Sequence, residues 1–135
     1  QEEGVKPAAT IEELYSNCDY VSLHIPANEQ TKNSINYELL SKMPKGACLV
    51  NTARKEVINE ADMAKLLAER TDFKYVTDIA AGNNDELAAF APRYFATPKK
   101  MGAQTAEANL NAGLAAANQI VDFIKNGVTK FQVNK

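Results

Sequence analysis

The sequence predicts an α/β fold built on a parallel sheet, and three observations carry the prediction. Short apolar runs at 19–26, 47–51, 74–79 and 93–97 alternate with stretches of helical periodicity. The runs are nearly continuous in their apolar residues, as strands of a parallel sheet covered on both faces are. The polar and unusual residues gather just past the ends of those runs, where open α/β sheets bind ligands. Four strands are few for such a sheet, so more of it is expected outside this sequence.

Each element has a local reason. In TIEELYSNC (10–18), Ile11, Leu14, Tyr15 and Cys18 share one helical face, and Thr10 with Glu13 forms a capping-box pattern. DYVSLHIP (19–26) reads as a buried strand stopped by Pro26. YELLSKM (37–43) is a short helix ended by Pro-Lys-Gly, and ACLVN (47–51) is the second strand. NEADMAKLLAER (59–70) starts at an Asn59 N-cap and turns Met63, Leu66 and Leu67 inward. KYVTDI and RYFAT supply the third and fourth strands. The longest helix runs from about 105 to 126, with Leu110, Leu114, Ala117, Val121 and Ile124 on one face and Asn126-Gly127 as its stop.

Composition narrows the function classes. A chain of 135 residues, 45% hydrophobic and 24% charged, suits one soluble domain with a sizeable core. A net charge of −2 without a basic stripe argues against nucleic acid as a partner, and the chain has no apolar run long enough for a membrane span. Cys18 and Cys48 lie in apolar settings and read as small buried hydrophobes. One histidine and no Cys/His cluster leave no basis for a metal site. No G-x-G-x-x-G phosphate fingerprint is present.

The strand ends are His24-Ile25-Pro26, Asn51-Thr52-Ala53-Arg54, Asp78, and the run into Lys99-Lys100-Met101-Gly102-Ala103. Each has two readings. Arg54 is a surface arginine or a bidentate grip on a carboxylate. Asp78 caps its loop or binds a ligand amide. His24 is a core histidine or a catalyst, and the lysine pair is a solvated corner or the chemistry. Thr105 and Glu107 serve the start of the long helix.

In order and spacing, CDYVSLHIPANEQTKNSIN, LLSKMPKGACLVNTARKEVINEADM, YVTDI and TPKKMGAQTAEAN resemble the D-isomer-specific 2-hydroxyacid dehydrogenases. The resemblance implies that residues 1–103 are the later half of a doubly wound, Rossmann-type NAD-binding domain. Residues 104–135 are then a crossover helix and tail returning to the substrate domain. The family's glycine fingerprint, its first nucleotide-domain strands and most of its substrate domain would precede Gln1, and the fragment alone is expected to be inactive.

The same resemblance implies roles residue by residue. Arg54 grips the substrate carboxylate and polarises the carbonyl, while Asn51, Thr52 and Ala53 line the nicotinamide side. Asp78 hydrogen-bonds the nicotinamide amide. His24, Ile25 and Pro26 flank the adenosine half of NAD, with Thr31 in the same loop. Most members place a histidine acid/base before the glycine-alanine turn; counting back from Gly102-Ala103 puts Lys100 there, and counting forward from Thr97-Pro98 puts Lys99. Met101, Gly102 and Ala103 complete that wall. The carboxylate that orients the family histidine has Asp85 and Glu86 as counterparts, with Asn83 nearer in spacing.

The implied reaction is NAD-dependent oxidation of D-3-phosphoglycerate to 3-phosphohydroxypyruvate, which opens the phosphoserine route to serine, with Lys100 as acid/base. A lysine base needs its amine brought from about 10.4 toward neutrality, and burial beside Lys99 and Arg54 acts in that direction. The partner is then a small phosphorylated 2-hydroxy acid, the assembly a homodimer and the compartment the cytoplasm. The alternatives are a dehydrogenase of another small 2-hydroxy acid, of glycerate or glyoxylate type, and a non-catalytic NAD-sensing domain.

Overall fold

Four strands form one parallel sheet whose order in space is their order in the chain: β1 (Tyr20–Leu23), β2 (Cys48–Asn51), β3 (Lys74–Thr77) and β4 (Tyr94–Ala96). The computed structural model describes residues 4–99 and 105–133. Register aligns Leu23 with Asn51 and Thr77, and Thr77 with Ala96, so the strands end in one row.

The helices form where caps and periodicity place them. α1 (Ile11–Asn17) begins at Thr10, whose Oγ1 accepts from the Glu13 N–H at 3.1 Å. The return bond of the box falls one residue early, from the Ala9 N–H to Glu13 Oε2 at 2.8 Å. α2 (Tyr37–Ser41) is capped by Asn36 and α3 (Glu60–Glu69) by Asn59, whose Oδ1 accepts from Asp62 N–H at 3.2 Å. α4 (Asn84–Ala88), absent from the sequence reading, is a single turn whose apolar contribution is Leu87 alone.

Burial alternates along β1 and β3, while β2 is buried or half-buried throughout. Val21, Leu23, Leu49, Tyr75 and Tyr94 join the core, while Tyr20 and Phe95 stay exposed. Met63, Leu66 and Leu67 of α3 are fully buried, α2 packs on α3, and α1 packs on α2. In register, Val21, Leu49, Tyr75 and Tyr94 share one buried face of the sheet. Parallel crossovers are right-handed, so a sheet wound in one direction places its helices on one face. Among the described residues the winding never reverses.

The amino ends of the strands are tied by one side chain. Arg70 donates from Nη1 to the Met43 carbonyl and from Nη2 to that of Pro44, both at 2.7 Å. It also pairs with Asp72 at 2.6 Å, and Asp72 Oδ2 accepts the Gly46 N–H at 2.7 Å. Gly46 sits at φ 81, where a side chain is strained, which suits glycine to this turn.

Residues fall into two units, divided after Lys99. In the second, α5 (Ala106–Asn126) is capped by Thr105 and stopped by Gly127 at φ 64. None of its residues is buried; Leu110, Leu114, Val121 and Ile124 stand exposed. Ile120, Phe123 and Ile124 line an apolar groove of about 590 Å³ with Val128 and Phe131 of the tail.

Candidate active site

The carboxyl ends of the strands make a rim, and each expected residue of β1 to β3 follows directly on the aligned row. His24 follows Leu23, Thr52 follows Asn51, and Asp78 follows Thr77. With neighbouring strands about 4.8 Å apart, the four ends span roughly 14 Å. That is the scale of a cofactor with its substrate rather than of a macromolecule.

The first loop is held by its own polar groups. Asn28 Oδ1 accepts from the N–H groups of Gln30 and Thr31, both at 2.9 Å, an Asx turn. Thr31 Oγ1 donates to the Pro26 carbonyl at 2.6 Å and accepts from Asn28 N–H at 2.9 Å, so its hydroxyl shapes the loop. Ile25 is half-buried against the core and Pro26 is exposed. His24 is exposed, with Nε2 2.9 Å from Ser22 Oγ, which removes the core-histidine reading.

This loop is stitched to the next one. Ile35 bridges Ile58 in parallel, its N–H donating to the Val57 carbonyl and its carbonyl accepting from Asn59. Asn33, at φ 54, donates its N–H to Glu56. The loop bearing Thr31 and the segment after Arg54 are thereby held together.

The second loop displays the arginine. Asn51 is fully buried; its Oδ1 accepts the Ala53 N–H and its Nδ2 donates to the Arg54 carbonyl, both at 3.0 Å. Thr52 is exposed, Ala53 half-buried and Arg54 exposed. The Arg54 guanidinium donates from Nη1 to the Ala53 carbonyl at 3.1 Å and enters no ion pair among the described residues. A guanidinium in this state has donors to offer an anion.

The third loop is built by residues the sequence reading passed over. Asp78 is half-buried, its N–H donating to the Asn51 carbonyl and its carbonyl accepting from Thr97 Oγ1 at 2.8 Å. Beyond it, Glu60 Oε1 accepts the Gly82 N–H at 2.5 Å, and a Cβ on Gly82 would meet Glu60 Oε2 at 2.7 Å. Only glycine permits that approach. Tyr94 Oη donates to Asn84 Oδ1 at 2.9 Å and accepts the Ala81 N–H at 3.4 Å. Burial raises the Tyr75 and Tyr94 phenols. Their signal in the sequence was a tyrosine in each of two apolar strands, positions where a hydroxyl needs a partner.

Asp85 and Glu86 lie exposed on the first turn of α4, where negative charge favours the helix start; Glu86 Oε2 accepts from Asn83 Nδ2 at 3.1 Å. Lys99 is exposed. Lys100, Met101, Gly102 and Ala103 lie outside the described residues.

The groups that follow the row are a carboxylate at Asp78, small residues at Thr52 and Ala53, and a cation at Arg54. Residues 1–99 match the family described as D-isomer specific 2-hydroxyacid dehydrogenase, NAD binding domain. D-3-phosphoglycerate dehydrogenase of Haemophilus influenzae is 33% identical over 96% of this chain. The crystal structure of NAD+-bound 3-phosphoglycerate dehydrogenase from Entamoeba histolytica superposes with a TM-score of 0.82 at 49% identity, covering 95% of this chain. A formate dehydrogenase from Granulicella is similar at TM-score 0.72 and 26% identity. The chain covers 33% of the Haemophilus protein and 42% of the Entamoeba chain.

Proposed function

This chain belongs to the D-isomer specific 2-hydroxyacid dehydrogenase family, and from that premise we propose that it is the later part of an NAD-dependent oxidoreductase acting on D-3-phosphoglycerate. The observation that carries the reading is Arg54: an exposed guanidinium with no ion pair among the described residues, directly past the strand row. The 49% identity to the Entamoeba 3-phosphoglycerate dehydrogenase supports this substrate over other 2-hydroxy acids.

Thr52, Ala53 and Asp78 would hold the nicotinamide end of NAD, and His24, Ile25 and Pro26 the adenosine end. The chemistry supplied by bound NAD is acceptance of a hydride. Arg54 orients the substrate carboxylate with paired N–H donors and draws electron density from the adjacent oxygen as it becomes a carbonyl. Lys100, as a neutral amine, takes the hydroxyl proton of 3-phosphoglycerate; in the reverse direction its ammonium returns that proton to the keto oxygen of 3-phosphohydroxypyruvate. An amine has no ring tautomer to fix, so Asp85 and Glu86 need not orient it, and their exposure on α4 agrees with that.

The exposed apolar face of α5 supports assigning residues 104–135 to the return toward a substrate domain, since a stripe of that length is covered in a folded protein. A homodimer in the cytoplasm completes the reading. No helix among the described residues is long and apolar enough to cross a membrane.

The test is NADH oxidation with 3-phosphohydroxypyruvate by the natural polypeptide that carries this sequence, beside its Lys100→Met variant. Turnover that collapses in the variant while NADH still binds is expected. Full turnover in the variant moves the base to Lys99 or elsewhere. Turnover of glyoxylate or hydroxypyruvate instead selects another 2-hydroxy acid, and NADH binding without turnover of any of them selects a sensor.

A further inference from the structure

We propose that Asn51 is a positioning residue for Arg54, clamping the loop that presents the guanidinium rather than touching cofactor or substrate. This rests on the reading of Arg54 as the substrate-carboxylate grip. Asn51 and Thr77 are the two buried polar residues of the described chain, at 0% and 2% exposure. They are register partners at the ends of adjacent strands. Each directs its side chain into the loop that follows its own strand: Thr77 Oγ1 donates to the Ile79 carbonyl at 3.0 Å and accepts the Ile79 N–H at 3.3 Å.

The Asn51 amide does more than Thr77 can. Its oxygen takes the N–H two residues on and its nitrogen the carbonyl three residues on, so the peptide plane entering Ala53 and the one leaving Arg54 are both fixed, with Ala53-Arg54 held between them. Nδ2 also lies 3.5 Å from Tyr75 Oη on the neighbouring strand. A buried amide is costly without partners, and here its geometry is set by three groups. The Arg54 side chain makes one bond of its own, to the adjacent carbonyl. Its direction is therefore inherited from the backbone that Asn51 holds. An aspartate would keep the acceptor and lose the donor; a hydroxyl can take the N–H two residues on, as Thr77 does, but not also bind the Arg54 carbonyl, and an alanine can do neither.

The test is a double-mutant cycle in the natural polypeptide, with Asn51→Ala, Arg54→Gln and the pair, read as kcat/KM for D-3-phosphoglycerate and as NADH affinity. Asn51→Ala is expected to lower kcat/KM at least tenfold with NADH affinity within threefold. On the Arg54→Gln background it should lower kcat/KM less than twofold. Equal losses on both backgrounds, or NADH affinity falling in parallel, would overturn the proposal. Amide exchange at Ala53, expected to quicken at least tenfold in Asn51→Ala, reads the clamp without turnover. Unchanged exchange overturns the clamp, whereas quickened exchange in a protein that oxidises no 2-hydroxy acid removes only the assigned reaction. Asn51→Asp, of the same shape, loses only the donor to the Arg54 carbonyl and carries the kcat/KM cycle, with the same expected and overturning results, if the alanine variant does not fold.

Discussion

Two arginines sit at opposite ends of the same sheet and are used in opposite ways. Arg70, at the amino ends, has both terminal nitrogens committed to two carbonyls and a carboxylate. Arg54, at the carboxyl ends, is exposed and, among the described residues, its side chain bonds only its neighbour's carbonyl. A saturated guanidinium joins parts of the fold, and an unsaturated one is available to something outside it. Burial separates them in the same sense, Arg70 half-buried and Arg54 exposed, and the satisfied donors say what each is for.

The sharpest way to break this contrast is to remove each arginine and watch which property fails. Arg54→Gln is expected to cut kcat/KM for the hydroxy acid by about a hundred- to a thousandfold, ~3–4 kcal/mol of transition-state stabilisation, the range for losing one charge-stabilising donor. Its melting temperature should stay within the error of surface substitutions, about 0.5 kcal/mol. A melting point that drops instead makes Arg54 structural and ends the contrast.

Arg70→Ala should do the reverse. It leaves the Met43 and Pro44 carbonyls and Asp72 without their donor, a loss of about 2–3 kcal/mol in chemical denaturation. The folded fraction should keep its NADH affinity. A smaller effect is expected at Gly82, which tests whether the carboxyl rim has structural joints of its own. Alanine there pushes the Glu60 carboxylate off the Gly82 N–H for about 1 kcal/mol, because the clash is with the far end of a flexible side chain.

The smallest effect sharpens the other end. Arg70, then the Gly46 N–H, hold the Asp72 carboxyl well below the usual carboxylate range. A depressed carboxyl contributes stability that is full above its unfolded value of about 3.9 and is lost as pH falls through its native value. Acid unfolding below about pH 4 should therefore be shallower in Asp72→Asn than in the parent. Identical acid limbs would show that the pairing with Arg70 has no net weight.

How much of this was legible in the sequence differs between the two ends. The strands and the long helices were readable because apolar periodicity, the Thr10, Asn59 and Thr105 caps and the Gly127 stop are all local signals. The β1 run was read as 19–26 and ends at Leu23, since apolar content continues past the last ladder bond. α4 escaped because one buried residue in five makes no period. Arg54, Asn51 and Asp78 were found by their place after apolar runs and by resemblance. What was not legible was the role division: Asn51 stands beside Thr52 and Ala53 in sequence, and its burial depends on β1 and β3 flanking it. The Arg70 joint was invisible for the same reason, since its carbonyl partners, Met43 and Pro44, lie 27 and 26 positions away in the chain.

The order of the sheet has a consequence for how the molecule comes into being. Tyr20 pairs with Cys48, Cys48 with Lys74, and Tyr75 with Tyr94, so every strand docks on the one made just before it. During synthesis the sheet can therefore lengthen sideways one strand at a time, with no strand waiting for a distant partner. The loops that carry Arg54 and Asp78 are each closed only when the following strand arrives. Assembly of the rim is thus vectorial, and a nascent chain that has emerged from the ribosome to about residue 80 can already display the arginine on three paired strands.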